Sequence, residues 1–176
     1  MITINDKNFI PYISYKQIQE RIVSLSKEIA RDYKNEEVHF ICVLNGSLFF
    51  TADLLKNYPY NCVLHTVKCK SYEGTESSGK IEMQLEFNEG IIGNHVIILE
   101  DIIDTGFTLN FLLNRIKKFN IKSIKIASLL VKPDALKYPV TIDYTGFVIP
   151  NKFVLGYGLD YDGYGRNLKD IYQLSI

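Results

Sequence analysis

The residues from Glu100 to Thr108 read EDIIDTGFT and follow directly on the aliphatic run VIIL (Val96 to Leu99). Packing alone does not call for carboxylates at the end of a buried strand, because an uncompensated charge there is costly. The segment Asp104-Thr105-Gly106-Phe107-Thr108, placed where a strand opens into a helix, offers backbone N–H groups, two hydroxyls and the positive end of a helix dipole. That set suits a terminal phosphate. A threonine that merely caps the helix would account for Thr105 or Thr108, but not for Glu100 and Asp101 just upstream. Two adjacent acids would repel a phosphate unless they serve something beside it. The vicinal hydroxyls of a ribose, or a magnesium ion bridging to them, satisfy both demands. A sugar phosphate therefore fits the string better than any single ion.

The elements that must position these residues can be read from periodicity. Ser14 and Gln17 have capping-box spacing, and Ile18, Ile22, Leu25 and Ile29 recur at helical intervals, which predicts an amphipathic helix from Tyr15 to about Tyr33. VHFICVL (38–44), VIIL (96–99) and SIKIASLLV (123–131) are continuous apolar runs, as expected of strands buried on both faces. CVLHTVK (62–68) reads as a strand and KIEMQLEF (80–87) alternates like a half-exposed one. Helices are expected over 47–55 and from Leu109 to about Phe119, and further strand signals cover 140–148 and 153–157. Strands alternating with helices predict an α/β domain around a mostly parallel sheet, whose ligands sit at the carboxyl ends of the strands. The acids of the opening stretch occupy such an end.

Composition narrows the function classes. At 176 residues, the expectation is a single domain spanning 1–176. Twenty basic and twenty acidic side chains cancel, so nothing global favours nucleic acid or an anionic membrane, and a charged ligand must be met locally. No apolar run approaches the ~18 residues of a membrane span. The opening MITINDKNFI lacks the features of a signal peptide. Cys42, Cys62 and Cys69 are odd in number and make no C-x-x-C, so reduced thiols in a cytoplasmic protein are expected. His39, His65 and His95 are scattered singly, which argues against a histidine metal site.

LEDIIDTGFTL resembles the phosphoribosyl-diphosphate (PRPP) binding signature of the type I phosphoribosyltransferases, and its Glu-Asp-Ile-Ile-Asp-Thr-Gly form resembles the hypoxanthine–guanine branch. Four further pieces fall in the order that family requires: VLNGSLFFTADL (43–54), KSYEGTESSG (70–79), SLLVKP (128–133) and IPNKFVLGYGLDYDGYGRNL (149–168). The resemblance implies the type I fold, a mostly parallel central sheet flanked by helices. It also implies a core of about 38–148, a small hood from the N- and C-terminal segments and a mobile lid loop. The activity implied is purine salvage: transfer of 5-phosphoribosyl from PRPP to N9 of hypoxanthine and guanine, giving IMP or GMP and pyrophosphate. A homodimer or homotetramer is implied as well.

Residue by residue, the resemblance implies that Glu100 and Asp101 hold the ribose hydroxyls, directly and through magnesium, and that Asp104 manages the proton at purine N7. Asp104, Thr105, Gly106, Phe107 and Thr108 would grip the 5′-phosphate. Asn45 and Gly46 would offer amides to pyrophosphate, after a Leu44–Asn45 peptide that the family usually keeps cis. Lys132 would read the 6-oxo group, Phe153 would stack on the base, and Val154 and Asp160 would read its 2-position. Asp160 would hold a second magnesium through water, Arg166 would contact pyrophosphate, and Ser71 and Tyr72 would belong to the lid. Arginine is the scarcer cation here, four against sixteen lysines, and only its rigid fork pairs bidentately with phosphate oxygens. Asn45 stands where eukaryotic members carry lysine, so it lends hydrogen bonds and no charge. The compact length and short N-terminus resemble bacterial members.

Four other readings lack the features they need. Gly74, Gly79 and Lys80 have P-loop spacing, but Ile81 replaces the required Ser or Thr and no helix follows. GYGLDYDGYG contains no G-x-G-x-x-G, so a nicotinamide site is unsupported. A receiver-type signalling domain needs paired acids after an N-terminal strand, and the first 30 residues have none. A non-catalytic regulator on the same fold would need a basic surface or an added nucleic-acid-binding domain.

Overall fold

The computed structural model describes residues 1–71, 81–85 and 89–175; for Lys70, Ser71, Glu89 and the 81–85 strand it describes the backbone only. Ser14 closes a full capping box with Gln17, its backbone N–H donating to Oε1 at 3.0 Å, and starts helix α1 (Tyr15–Asp32). Ile18, Ile22, Leu25 and Ile29 on one side of α1 are fully buried. Each contributes roughly 1.5–3 kcal/mol of apolar transfer, so packing rather than intrinsic propensity holds this helix. Strand β3 (Val38–Leu44) follows, buried except at its last residue.

The chain then makes helix α2 (Leu48–Asn57), β4 (Cys62–Ser71), β5 (Ile81–Leu85), β6 (His95–Ile103), α3 (Phe107–Ile116), β7 (Ser123–Val131) and β8 (Tyr144–Val148). Two hairpin strands precede α1, β1 (Ile2–Ile4) and β2 (Lys7–Ile13), while β9 (Val154–Leu155) and β10 (Ile171–Leu174) end the chain. The large sheet has the order β5-β4-β3-β6-β7-β8, parallel throughout except for β5, which pairs antiparallel with β4. The second sheet has the order β1-β2-β10-β9 and is antiparallel.

The large sheet is covered on both faces. Phe40, Leu99 and Leu129 pack with α1 and α2, and Ile41, Ile98 and Val131 with Leu109, Leu112 and Ile116 of α3. Successive strand residues thus enter opposite cores, which is why these strands are continuously apolar. Val154, Tyr157 and Ile171 join the α1–α2 core, so the second sheet is anchored on that face.

Several boundaries differ from expectation. The β8 strand begins only at Tyr144; Val140 and Ile142 instead pack against the α3 core from an irregular segment. β9 stops at Leu155 because Gly156 and Tyr157 turn to positive φ, +100° and +50°. α3 ends at Ile116 rather than near Phe119. β1, β2 and β10 were not expected at all. Among the described residues no helix is long and apolar enough to cross a membrane.

Candidate active site

Where the chain leaves β3 it winds toward β4, and where it leaves β6 it winds the other way, toward β7 and β8. The crevice outside the carboxyl ends of β3 and β6 is therefore the topological switch point, where open α/β sheets bind ligands. Here the crevice has a definite origin. The β3–β6 pairing stops at Cys42↔Leu99, while β6 continues alongside β7 to Ile103↔Val131. Glu100 and Asp101 consequently lie inside the strand rather than beyond its end, on the stretch that β3 has abandoned.

After β6 the chain turns at Asp104-Thr105-Gly106. Gly106 sits at φ +78°, and a Cβ there would lie 3.1 Å from the Tyr138 carbonyl. The backbone N–H groups of Lys137 and Tyr138 donate to the Thr105 carbonyl, at 3.0 and 3.1 Å, pinning the bend. No side chain caps α3 in the usual way; the Thr105 hydroxyl accepts from the Phe107 N–H at 3.3 Å. The amides of the first turn thus face a cavity of about 90 Å³ bounded by Glu100, Asp104, Thr105, Gly106, Phe107 and Thr108. One water needs only ~10–15 Å³, so the space accepts a larger anion at a helix N-terminus.

Glu100 is 6% exposed, and its Oε2 has no hydrogen-bond partner among the described residues. Burial pushes its carboxyl well above the usual carboxylate range, and the neighbouring Asp101 charge adds to the effect. Burial also raises Asp101, opposed by backbone hydrogen bonds and by the Arg166 charge. A buried acceptor aimed at nothing is a site prepared for a hydroxyl or a hard cation. Among the described residues no group of three or more His, Cys, Asp or Glu is arranged around a common point. Two carboxylates with room for ligand oxygens beside them suit magnesium, which uses few protein ligands.

Register delivers the next pair. Because Ile103 lies opposite Val131, Asp104 and Lys132 leave neighbouring strands side by side. Lys132 Nζ donates to Asp104 Oδ2 at 2.7 Å, and Lys132 is itself only 6% exposed. The Leu44–Asn45 peptide at the end of β3 is cis. Gly46, next in line, lies so close to Asp101 that a Cβ would strike the carboxylate, and a Cβ on Gly158 would strike the Gly46 carbonyl. Two glycines therefore let the ends of β3, β6 and the C-terminal loop close on one another. Gly158 was not singled out from sequence, although GYGLDYDGYG carries the signal.

Arg166 reaches the same place, donating from Nη1 to the Gly158 carbonyl at 2.7 Å and pairing through Nη2 with Asp160 Oδ1 at 2.6 Å. Asp160 Oδ2 accepts from the Gly163 N–H at 2.7 Å, so both its oxygens are engaged. Asn45 is exposed at the mouth. Phe153, 43% exposed, immediately precedes β9 of the second sheet, and the buried Val154 begins that strand; among the described residues no hydrogen bond or ring contact joins them to Asp104 or Lys132. Ser71 is the last residue of β4, while Tyr72 and the rest of the expected lid lie outside the described residues.

Residues 14–162 match the phosphoribosyl transferase domain family, and the chain belongs to it. Among its relatives, the hypoxanthine-guanine-xanthine phosphoribosyltransferase of Tritrichomonas foetus is 40% identical over 152 residues, covering 86% of this chain and 83% of that protein. The hypoxanthine-guanine phosphoribosyltransferase of Streptococcus pneumoniae is 40% identical over 157 residues, covering 89% and 87%. A crystal structure of a hypoxanthine-guanine phosphoribosyltransferase from Bacillus anthracis superposes with a TM-score of 0.89 at 36% identity, over 97% of this chain and 99% of that one.

Proposed function

We infer that this protein transfers the 5-phosphoribosyl group of PRPP to N9 of hypoxanthine and guanine, forming IMP or GMP and releasing pyrophosphate. The observation that carries the reading is the sequence of groups along one crevice: an amide-lined cavity at the start of α3, the unpartnered Glu100 carboxyl beside it, and the Asp104–Lys132 pair at its edge.

The C1′–oxygen bond to pyrophosphate breaks, C1′ gains oxocarbenium character as in glycosyl transfer, and N9 of the base closes the new bond. The bend from Asp104 to Thr108 holds the 5′-phosphate through its amides. Glu100 and Asp101 accept from the ribose hydroxyls, and the charge that these contacts restore to them favours a cationic sugar. Glu100 and Asp101 would hold magnesium, which when bound would supply charge neutralisation for the departing pyrophosphate. Arg166 and the amides near Asn45 and Gly46 serve the same group; Arg166 turns from Asp160 to do so. Asp104 accepts the proton at purine N7, and Lys132, released from Asp104, donates to the 6-oxo oxygen. Phe153 is the stacking surface, Val154 and Asp160 the readers of the 2-position, and the loop containing Ser71 and Tyr72 the cover that excludes water. A hood formed by the N- and C-terminal segments, a cytoplasmic location and assembly as a homodimer or homotetramer belong to the same reading.

The purified protein, given PRPP, magnesium and in turn adenine, hypoxanthine, guanine and xanthine, should form nucleotide with the oxopurines and not with adenine. Lys132→Ala should lower the preference for hypoxanthine over adenine by about tenfold, the worth of one hydrogen bond to a charged donor. Equal use of adenine by the unaltered protein would overturn the reading.

A further inference from the structure

Phe153 does not stand alone in the second sheet. Its carbonyl accepts from the Leu174 N–H at 2.9 Å, which fixes its backbone to β10. Its ring meets the edge of Tyr161, with centroids 5.7 Å apart and planes at 82°. Behind both lies the fully buried Phe9 of β2, 6.2 Å from Phe153 and 6.3 Å from Tyr161. Tyr161 sits on a tight hairpin, exchanging backbone hydrogen bonds with Tyr164 across Asp162 and Gly163, both at positive φ. Its hydroxyl leaves that hairpin and donates to Asp6 Oδ1 at 2.9 Å, across 155 positions of chain. Asp6 occupies the turn between β1 and β2, and the next residue, Lys7, lays its ammonium over the Tyr161 ring at 4.5 Å and over the Phe153 ring at 6.0 Å. Among the described residues Lys7 makes no ion pair, so this ring contact is the setting of its charge.

We propose that Tyr161 and Lys7, joined through Asp6, form a clasp between two hairpin turns that sets the orientation of Phe153 and so the affinity for the purine base. The inference rests on the reading of Phe153 as the stacking surface and adds Asp6 and Lys7, from outside the motifs that carry that reading, and Tyr161, to which that reading gives no role. The ammonium takes up one side of the half-exposed Phe153 ring, and a stacked base would use the other. An edge-on neighbour blocks rotation of the ring where a face-on neighbour would compete with the base for it. A cation on the far side also draws electron density from the ring, which strengthens its stacking on an electron-rich heterocycle. Tyr161 and Lys7 are positioning residues: they act through Phe153 and have no part in the transfer itself.

The test separates base affinity from everything else. Tyr161→Leu should raise the KM for hypoxanthine about fivefold to tenfold, the scale of a lost aromatic pair, with kcat and the KM for PRPP within about twofold. Lys7→Met should raise it about twofold to fivefold, the scale of a partly exposed cation–π contact. Tyr161→Phe keeps the ring but breaks the bond to Asp6, so it should show part of the loss, Asp6→Ala should match it, and in the Tyr161→Phe, Asp6→Ala double variant the second change should add nothing. Phe153→Ala is the reference. If it raises the KM for hypoxanthine while Tyr161→Leu and Lys7→Met do not, the clasp is wrong and Phe153 remains the stacking surface. If Phe153→Ala itself leaves that KM unchanged, the stacking role falls and the clasp with it. A matched drop in kcat or in PRPP affinity for Tyr161→Leu, with Asp6→Ala silent, marks a general packing role and also overturns the proposal.

Discussion

The two ends of the large sheet are made from similar side chains and treat them in opposite ways. At the amino end, His39 Nδ1 lies 2.9 Å from His65 Nε2 and His39 Nε2 lies 3.0 Å from Glu37. His95 Nδ1 meets the Ser123 hydroxyl at 2.6 Å, Lys122 donates to Glu36 at 2.9 Å, and the Tyr144 hydroxyl donates to Asp32 at 2.8 Å. Most polar groups there are matched within the fold; His95 Nε2, which makes no hydrogen bond, still has the Glu36 carboxylate 3.6 Å away. At the carboxyl end Glu100 is buried without a partner for Oε2, and both it and Asp101 are pushed toward the neutral form. One end holds the strands together; the other keeps unmet hydrogen-bonding capacity for something that arrives later. Sites of that second kind are where stability is given up for function.

The contrast can be broken most sharply at Asp104. Asp104→Asn should cut kcat by about 10²–10⁴-fold, the usual worth of a positioned acid or base, with little change in PRPP affinity measured by calorimetry; near-normal turnover would remove Asp104 from the chemistry. Gly46→Ala drives a methyl into the Asp101 carboxylate. A displacement of about 1 Å near reacting groups can cost ~10²-fold, so kcat/KM for PRPP should fall on that scale. A normal value would mean that the three strand ends need not meet so closely. Glu100→Met replaces an unpartnered buried carboxyl with an apolar chain of similar length. Ribose binding should be lost while Tm holds or rises by a few degrees, as expected when a functional site stops being destabilised; a lower Tm would show that Glu100 supports the fold after all.

The smallest effect belongs to the amino end. His65 is lowered by burial and by the His39 charge, and His95 by burial. Between those lowered values and the ordinary histidine value near ~6.5 the unfolded chain binds more protons, so stability falls as pH drops through that window. Tm measured from pH 8 to 5 should decline below about 6.5, His65→Gln should flatten the decline, and activity at pH 8 should be unaffected. A lost activity at pH 8 would tie the two ends together.

What could be read from sequence divides along similar lines. β3, β6 and β7 announce themselves because both their faces are buried and each carries a continuous apolar run. Ser14 and Gln17 give the start of α1 because capping is a local hydrogen-bond pattern. The acids and the Asp104–Thr108 bend were legible because no packing requirement explains them. By contrast, β2 carries Pro11, which lacks a ladder donor, and it pairs with β10 more than 150 positions away. No local pattern reveals such a strand. The Asp104–Lys132 contact depends on which residues of β6 and β7 stand opposite one another, and register is not written in either strand alone. The histidines looked scattered for the same reason: parallel pairing of Ile41 with His65 sets that ring two positions along from His39 on the same face.

β10 lies between β2 and β9, and Leu174 holds the carbonyl of Phe153. A ribosome must therefore deliver residue 174 before the side of the crevice assigned to the nucleobase can be shaped, whereas the Asp104–Lys132 pair needs only the strands up to β7. Removing β10 would leave the Asp104–Thr108 bend in place and unhinge Phe153, so on the reading proposed above base selection would be lost before the grip on PRPP.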